Sequence, residues 1–420
     1  MSREMKHSGI EWIGQIPKDW NVVTGKRFLD LMNRPVRETD EVVTCFRDGE
    51  VVLRSERRTE GFTMSDKEIG YQGINKGDIV IHGMDGFAGA MGISKSTGKG
   101  SPVLIVCNPK GSDDSRYIIY YLRSLAITNV FLALATGIRE RSCDLRWNKI
   151  SVLPFIRPNV TEQQKIANYL DKVCGEVDEM VALQEKMIEE LKAYKQSKVK
   201  EMFDISMREE PYCMSKLGGL SHLITKQTGF DYSNTISHAL VGELTDSTIP
   251  YLQTKHFKEG YWNFNTDYYI PKDVAIQFPK ILLNKRCLLF SIVGASIGNV
   301  AVFPATTTAF LGGAICKVDL INDRNCEYIK NYMLSYYGQM QISEKINSSA
   351  QGTITVQNVR DFKIPIFNDY NVQERITAEI NSLSESIRLL IEAKQTKIEE
   401  LKEYKKSLIY EYVTGKKEVA

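Results

Sequence analysis

Residues 162–203 read EQQKIANYLDKVCGEVDEMVALQEKMIEELKAYKQSKVKEMF, and the placement of apolar side chains along this stretch decides the architecture. Ile166, Leu170, Val173, Val177 and Met180 are followed by Met187, Leu191 and Tyr194, in steps of four and three. That spacing gives a helix one sticky stripe. Gln184 stands in the stripe between Met180 and Met187 and weakens it there. A helix of about 42 residues spans roughly 60 Å, beyond the usual globular length. It needs a second helix to cover its stripe.

Working outward, that helix recurs. From Gln373 to Val413 the apolar positions are Ile376, Ile380, Leu383, Ile387, Leu390, Ile398, Leu401, Tyr404 and Leu408. Ile188-Glu189-Glu190-Leu191-Lys192 returns as Ile398-Glu399-Glu400-Leu401-Lys402, 210 residues later in a chain of 420. Gln163 and Ile166 return as Gln373 and Ile376. This is an internal duplication. It extends into the segments between the helices, where Ala88-Gly89 matches Ile297-Gly298 and Tyr117 and Tyr121 match Tyr328 and Tyr332. Arg54 to Arg58 has no echo, and SKSTGKG at 94–100 becomes PATTT at 304–308. The frame was copied and its decoration was not, which suits a protein that reads two unlike things.

The remaining segments mix short strands with short helices. Strand patterns separated by glycine turns fill 42–110, with a helix from Asp114 to Leu125. In the second half, strands are expected at 249–253, 287–293, 299–303 and 312–318, and one helix at 325–343. Short helices are expected at 28–31 and 218–224. Residues 9–20, GIEWIGQIPKDW, read as an extended lead-in, and Thr161 as the N-cap of the first long helix. Trp147 is expected to pack its domain onto that helix.

Charge is nearly balanced at +2 (54 Lys plus Arg, 52 Asp plus Glu), which neither requires nor excludes nucleic acid. No segment is apolar enough to cross a bilayer, and MSREMKHSGIEWIG has no signal-peptide core. Eight scattered cysteines without a CxxC pair point to reduced thiols and a cytoplasmic setting. Catalytic motifs are missing: no GxGxxG after a strand, no phosphate loop, no GxSxG elbow and no paired histidines. The Glu-x-Lys triplets at 190–192 and 400–402 lie in the long helices, where ion pairing explains them.

Basic and amide side chains carry more promise, because Arg and Lys suit phosphates and guanine edges while Asn and Gln suit adenine. In the first half these are Arg54, Arg57, Arg58, Lys95, Lys99, Arg139, Arg141 and Arg146. In the second they are Lys226, Lys255, Lys258, Asn299, Lys345, Gln351, Thr353 and Gln357. Solvated surface charge is the competing explanation for each of them.

Two variable domains alternating with two copies of a long helix resemble the specificity subunit of type I restriction-modification systems. The opening GIEWIGQIPKDW carries the resemblance, with Leu153-Pro154 before Glu162-Gln163-Gln164-Lys165-Ile166-Ala167, and Ile364-Pro365 before Val372-Gln373-Glu374-Arg375-Ile376. It covers essentially the whole chain; the departure is that Pro211 to Gly219 stands where a second GIEWIGQIPKDW would. The resemblance implies an α+β chain with two mixed α/β target recognition domains, 1–158 and 206–371. Between them two spacer helices, 159–205 and 372–415, would pair as an antiparallel coiled coil in a pseudo-two-fold duplication. It implies a non-catalytic subunit that reads a bipartite site on double-stranded DNA. It further implies two modification subunits that hold S-adenosyl-methionine, with two restriction subunits as further partners, and no cofactor or metal in this chain. Two other classes stay open at this point. One is a coiled-coil scaffold for two protein-binding domains; the other is a stand-alone methyltransferase or nuclease. A salt-dependent footprint over two separated patches speaks for DNA against the first.

Overall fold

The computed structural model describes residues 3–57, 69–133, 145–258, 261–346 and 352–419. It contains two compact units: residues 1–185 with 394–420, and residues 186–393. The division falls inside both long helices, Val160–Glu209 and Tyr370–Val413.

In the first unit a four-stranded antiparallel sheet has the order Leu29–Leu31, Leu104–Pro109, Ile79–His82, Met91–Ile93. Its strands are apolar in continuous runs because both faces are covered. Side chains alternate across a strand: Ile79 and Ile81 enter the main core with Tyr117 and Tyr121, whereas Val80 enters a smaller core with Val43 and Val51. The helix Ser115–Ile127 lies on the main-core side, its N-terminus capped by the Asp114 carboxylate. Arg116 and Tyr120 tie it to Asp171 of the long helix, each at 2.8 Å. The lead-in forms the hairpin Met5–His7 with Gln15–Pro17, and the Trp20 indole N–H donates to Glu162 at 2.8 Å. Trp147 packs against the core that contains Ile166 and Leu170.

The second unit repeats the sheet strand for strand: Ser221–Lys226, Ile315–Leu320 (with its neighbour Cys287–Ser291), then Val300–Phe303. Leu288 and Phe290 face a core with Tyr328 and Phe203; Cys287 and Leu289 face another with Phe303 and Phe310. Added to this unit is a second four-stranded sheet ordered Tyr269–Pro271, Thr248–Leu252, Ala309–Leu311, Leu282–Leu283. The buried Lys317 amine joins the two sheets, donating to the Leu282 carbonyl at 3.1 Å beside Asp319 at 3.1 Å.

The long helices run antiparallel. In the first unit Tyr169 stacks near Tyr412 (4.5 Å between rings), Asp178 meets Lys405 at 2.7 Å, and Gln184 accepts from Lys394 at 3.2 Å. One number rises as the other falls. In the second unit Val199 and Phe203 share a core with Ile376 and Ile380. Ile166, Leu170, Val177, Ile376, Ile380 and Ile387 are buried in the seam, while Val173, Leu383, Leu191 and Leu401 are partly covered.

Several sequence expectations need correction. Met180 and Met187 are 51% and 37% exposed, and Tyr194, Leu390 and Tyr404 are also exposed, so they are off the seam. The stripe steps instead through Val181, Gln184 and Ile188 on one helix and Ile391, Lys394 and Ile398 on the other. Asn159, not Thr161, caps the first helix, its side-chain oxygen accepting from the Glu162 N–H at 2.9 Å. The expected helix at 28–31 is a turn of helix Gly25–Phe28 followed by strand Leu29–Leu31. That at 218–224 is a 3-10 turn, Leu217–Leu220, leading into strand Ser221–Lys226. The helix at 325–343 is two, Asn325–Leu334 and Tyr336–Lys345, broken at Ser335.

Gln163, fully buried, shows what the helix starts do: it donates to Asp113 (2.8 Å) and the Pro158 carbonyl (2.9 Å) and accepts from the Asp114 N–H (2.9 Å). Its copy Gln373 is equally buried, yet its side-chain oxygen has no hydrogen-bond partner among the described residues.

Candidate nucleic-acid interface

One end of the four-stranded sheet gathers polar side chains in the first unit. The strand Ile79–His82 ends there in a turn through residues 83–89, closed by Gly89 at φ +93°. Two segments are stitched to this turn. The Leu145 N–H donates to the Gly83 carbonyl at 2.9 Å, which places exposed Arg146 beside it. Arg47, on the turn of the hairpin Val43–Cys45 with Val51–Leu53, reaches Asp85 at 2.8 Å.

That hairpin turn is held firmly. Gly49 has φ +87°, and a Cβ there would lie 1.6 Å from the Arg123 guanidinium, which donates to the Asp48 and Met91 carbonyls at 3.3 Å. Only glycine fits. Around the turn, Arg57 pairs with Asp48 and with Glu50 (3.1 Å) and lies 4.4 Å over the Phe46 ring; Lys95 pairs with Glu50 at 2.7 Å. Arg57 holds the Asp48 carboxyl below the usual carboxylate range. Arg54 and Lys99 sit at the hairpin's open end, both next to Val42 in the backbone bonding, and the Arg54 guanidinium donates to Thr44 at 3.2 Å. Arg58, Arg139 and Arg141 lie outside the described residues.

The second unit has the same stitching with other residues. The Ile354 N–H donates to the Ile292 carbonyl at 2.9 Å, and the Ile292 N–H to Ala314 at 3.0 Å, in a turn closed by Gly298 at φ +89°. Thr353 bridges Val293, and exposed Lys226 ends the outer strand opposite Cys316. The Asn299 amide donates to the Phe257 carbonyl at 2.8 Å, and Lys255 pairs with Asp267 at the surface. A cleft of about 270 Å³ opens between Tyr251, Lys255 and Gly312 to Ala314. Lys345 and Gln357 stand apart from this group, next to Asp361, to which the Gln357 amide donates at 2.9 Å. Gln351 lies outside the described residues, as does the side chain of Lys258, whose backbone is in a short strand.

So the sheet end collects some of the expected residues in each unit, Arg146 in one and Lys226, Asn299 and Thr353 in the other, while Arg57 and Lys95 gather on the hairpin turn. Arg47 was missed because nothing in its local sequence marks it; only the fold brings it to Asp85. Among the described residues no group of His, Cys, Asp and Glu could hold a metal ion, and no helix is long and apolar enough to cross a membrane. The seven described cysteines are free thiols.

Two histidines sit in this framework as neutral acceptors. His82 Nδ1 accepts from the Asp85 N–H at 3.0 Å and His256 Nδ1 from the Gln253 N–H at 2.9 Å. Burial holds both below the ordinary histidine range. An unfolded histidine takes up its proton near pH 6.5, so the unfolded chain binds more protons as acidity rises. The contribution to stability is complete above about pH 6.5 and is lost as pH falls through the lower folded values. The melting temperature is expected to drop between pH 7 and 5.5, less steeply for His256→Gln. Equal slopes for the two proteins would remove His256 from the account.

Comparison with known proteins adds the following. The sequence profile described as Type I restriction modification DNA specificity domain matches residues 194–403. The specificity subunit of the type I restriction enzyme MjaVIII from Methanocaldococcus jannaschii is 22% identical over 427 residues, covering 96% of this chain and 94% of that one. A chain from a structural study of complex assembly and conformational transition in a type I R-M system aligns with a TM-score of 0.69 at 15% identity, covering 95% of this chain and 99% of that chain. The HsdS subunit of Thermoanaerobacter tengcongensis gives 0.49 at 16% identity, with 95% and 98% covered.

Proposed function

We propose, from the premise that the chain belongs to the type I restriction-modification DNA specificity family, that each of its two units reads one half of a split target. The protein is the sequence-specific DNA-binding subunit of such a system; it positions methyltransferase and restriction subunits and is itself non-catalytic. Residues 1–158 and 206–371 serve as the target recognition domains, and the paired helices set the gap between half-sites. Two modification subunits carry the S-adenosyl-methionine, two restriction subunits join them, and the setting is cytoplasmic.

The observation that carries this reading is one sheet built twice, with the same strand order and the same stitched turn, but unlike polar groups at its end. A common frame supplies a common way to approach a duplex, and different side chains at the same place read different bases. Arg54, Arg57, Lys95, Lys99 and Arg146 serve the first half-site, with Arg58, Arg139 and Arg141. Lys226, Lys255, Lys258, Asn299, Lys345, Gln351, Thr353 and Gln357 serve the second. The modification subunits dock on apolar side chains that the helix seam leaves outside. These are Met180, Leu183 and Tyr404 in the first unit, and Met187, Tyr194 and Leu390 in the second. An exposed apolar stripe on a charged helix is a natural partner surface.

Genome-wide adenine methylation in cells carrying this chain and its modification subunit tests the reading. One bipartite motif with a fixed gap is expected. A continuous motif, or methylation without this chain, would overturn it.

A further inference from the structure

Arg47, Arg57 and Lys95 surround a single hairpin turn, and each is already engaged by a carboxylate of the same surface: Asp85, Asp48 with Glu50, and Glu50. Three positive charges face three negative ones and cancel. The pairs are solvent-exposed; Arg47 and Lys95 keep 65% and 66% of their side-chain surface. Exposed pairs of this kind contribute little to stability because water and salt screen them, so a polyanion can displace the carboxylates. Meanwhile the cations stay aimed, because the Phe46 ring lies under Arg57 and Arg123 clamps the turn backbone.

We propose that Asp48, Glu50 and Asp85 occupy the place of DNA phosphates in the free chain and yield Arg47, Arg57 and Lys95 to the duplex backbone on binding. The proposal rests on the DNA-reading function above, and it adds Arg47 and three acidic residues to the interface. A protein partner is the poorer match. Stable protein interfaces have an apolar centre, whereas the one large apolar side chain on this turn, Phe46, is roofed by Arg57. Backbone contacts with DNA are polar and charged throughout.

The test uses the full chain in complex with its modification subunit. Asp48→Asn combined with Glu50→Gln removes two competing charges while keeping the acceptor that the Glu50 N–H uses at 3.0 Å. Affinity is measured for the target duplex and for one with both half-sites scrambled, at low and at moderate salt. Both duplexes are expected to bind about tenfold more tightly at 50 mM salt, and the gain should shrink about threefold per added phosphate contact by 200 mM. The methylated motif stays the same, and adding Arg57→Ala, which removes the cation that both Asp48 and Glu50 engage, takes back part of the gain. Unchanged or weaker DNA binding overturns the proposal, as does a gain that Arg57→Ala leaves intact. Tighter capture of the modification subunit at constant DNA affinity also overturns it, by assigning the turn to a protein. Failure of the underlying function looks different: the wild-type complex would then give no bipartite methylation at all.

Discussion

A chain lacking residues 181–187 and 391–397 is expected to direct its modification subunits to a target whose two half-sites are unchanged but whose gap is shorter by about 3 base pairs. Each deletion removes one heptad and leaves the seam in phase, because Ile188 takes the place of Val181 and Ile398 that of Ile391. Seven helical residues span about 10 Å, and B-DNA rises about 3.4 Å per base pair. Three base pairs also rotate one half-site by about 100° against the other on a duplex of 10–10.5 bp per turn, so methylation should be slower. Methylation mapping checks both. An unchanged gap, or altered bases within a half-site, would show that the helices do not measure the distance.

Replacing Phe203 with alanine is expected to cost about 3–5 kcal/mol. Its ring is fully buried at the end of the first long helix, edge-on to Tyr332 at 5.2 Å and Tyr328 at 6.0 Å. Domains are stable by only about 5–15 kcal/mol, so the second unit should unfold at far lower denaturant, and the second half-site should be lost before the first. The copy of Phe203 is Val413, where the backbone carbonyl accepts from the Tyr117 hydroxyl at 3.1 Å. Val413→Ala should therefore cost less than Phe203→Ala. Denaturation curves for the two variants decide it; equal costs would mean that ring packing is not what anchors the helix.

Periodicity made the two helices legible, and the duplication made their pairing legible. The apolar spacing meets buried positions again at Ile398 and Leu408 but departs from them just after Val177 and Ile387. At that point two apolar residues stand side by side: Met180 with Val181, Met187 with Ile188, Leu390 with Ile391. A period near 3.5 accepts either one. In the structure the β-branched residue turns inward and its neighbour outward. The repeat itself holds the answer, since Met187 corresponds to Lys397 and Ile188 to Ile398, and of these two positions only the second is apolar in both copies. Ser335 broke a helix that looked continuous because local pattern carries no record of where the chain must bend to cover a core. The candidate interface was legible in part. Arg57 and Lys95 stand out in the sequence as cations, but nothing in the local sequence marks Asp48, Glu50 and Asp85. Long-range ion pairs depend on which strands adjoin, and no window of sequence contains that.

The hydrogen bond from Lys394 to Gln184 joins two positions that are copies of each other, 210 residues apart. In an assembly of two identical half-length chains, any residue at this layer would face its own twin. Two lysines there would repel, and two glutamines would be forced to match. An unlike pair needs the two copies to differ, so this one contact uses a freedom that a single chain with two halves has and an assembly of identical half-length chains lacks.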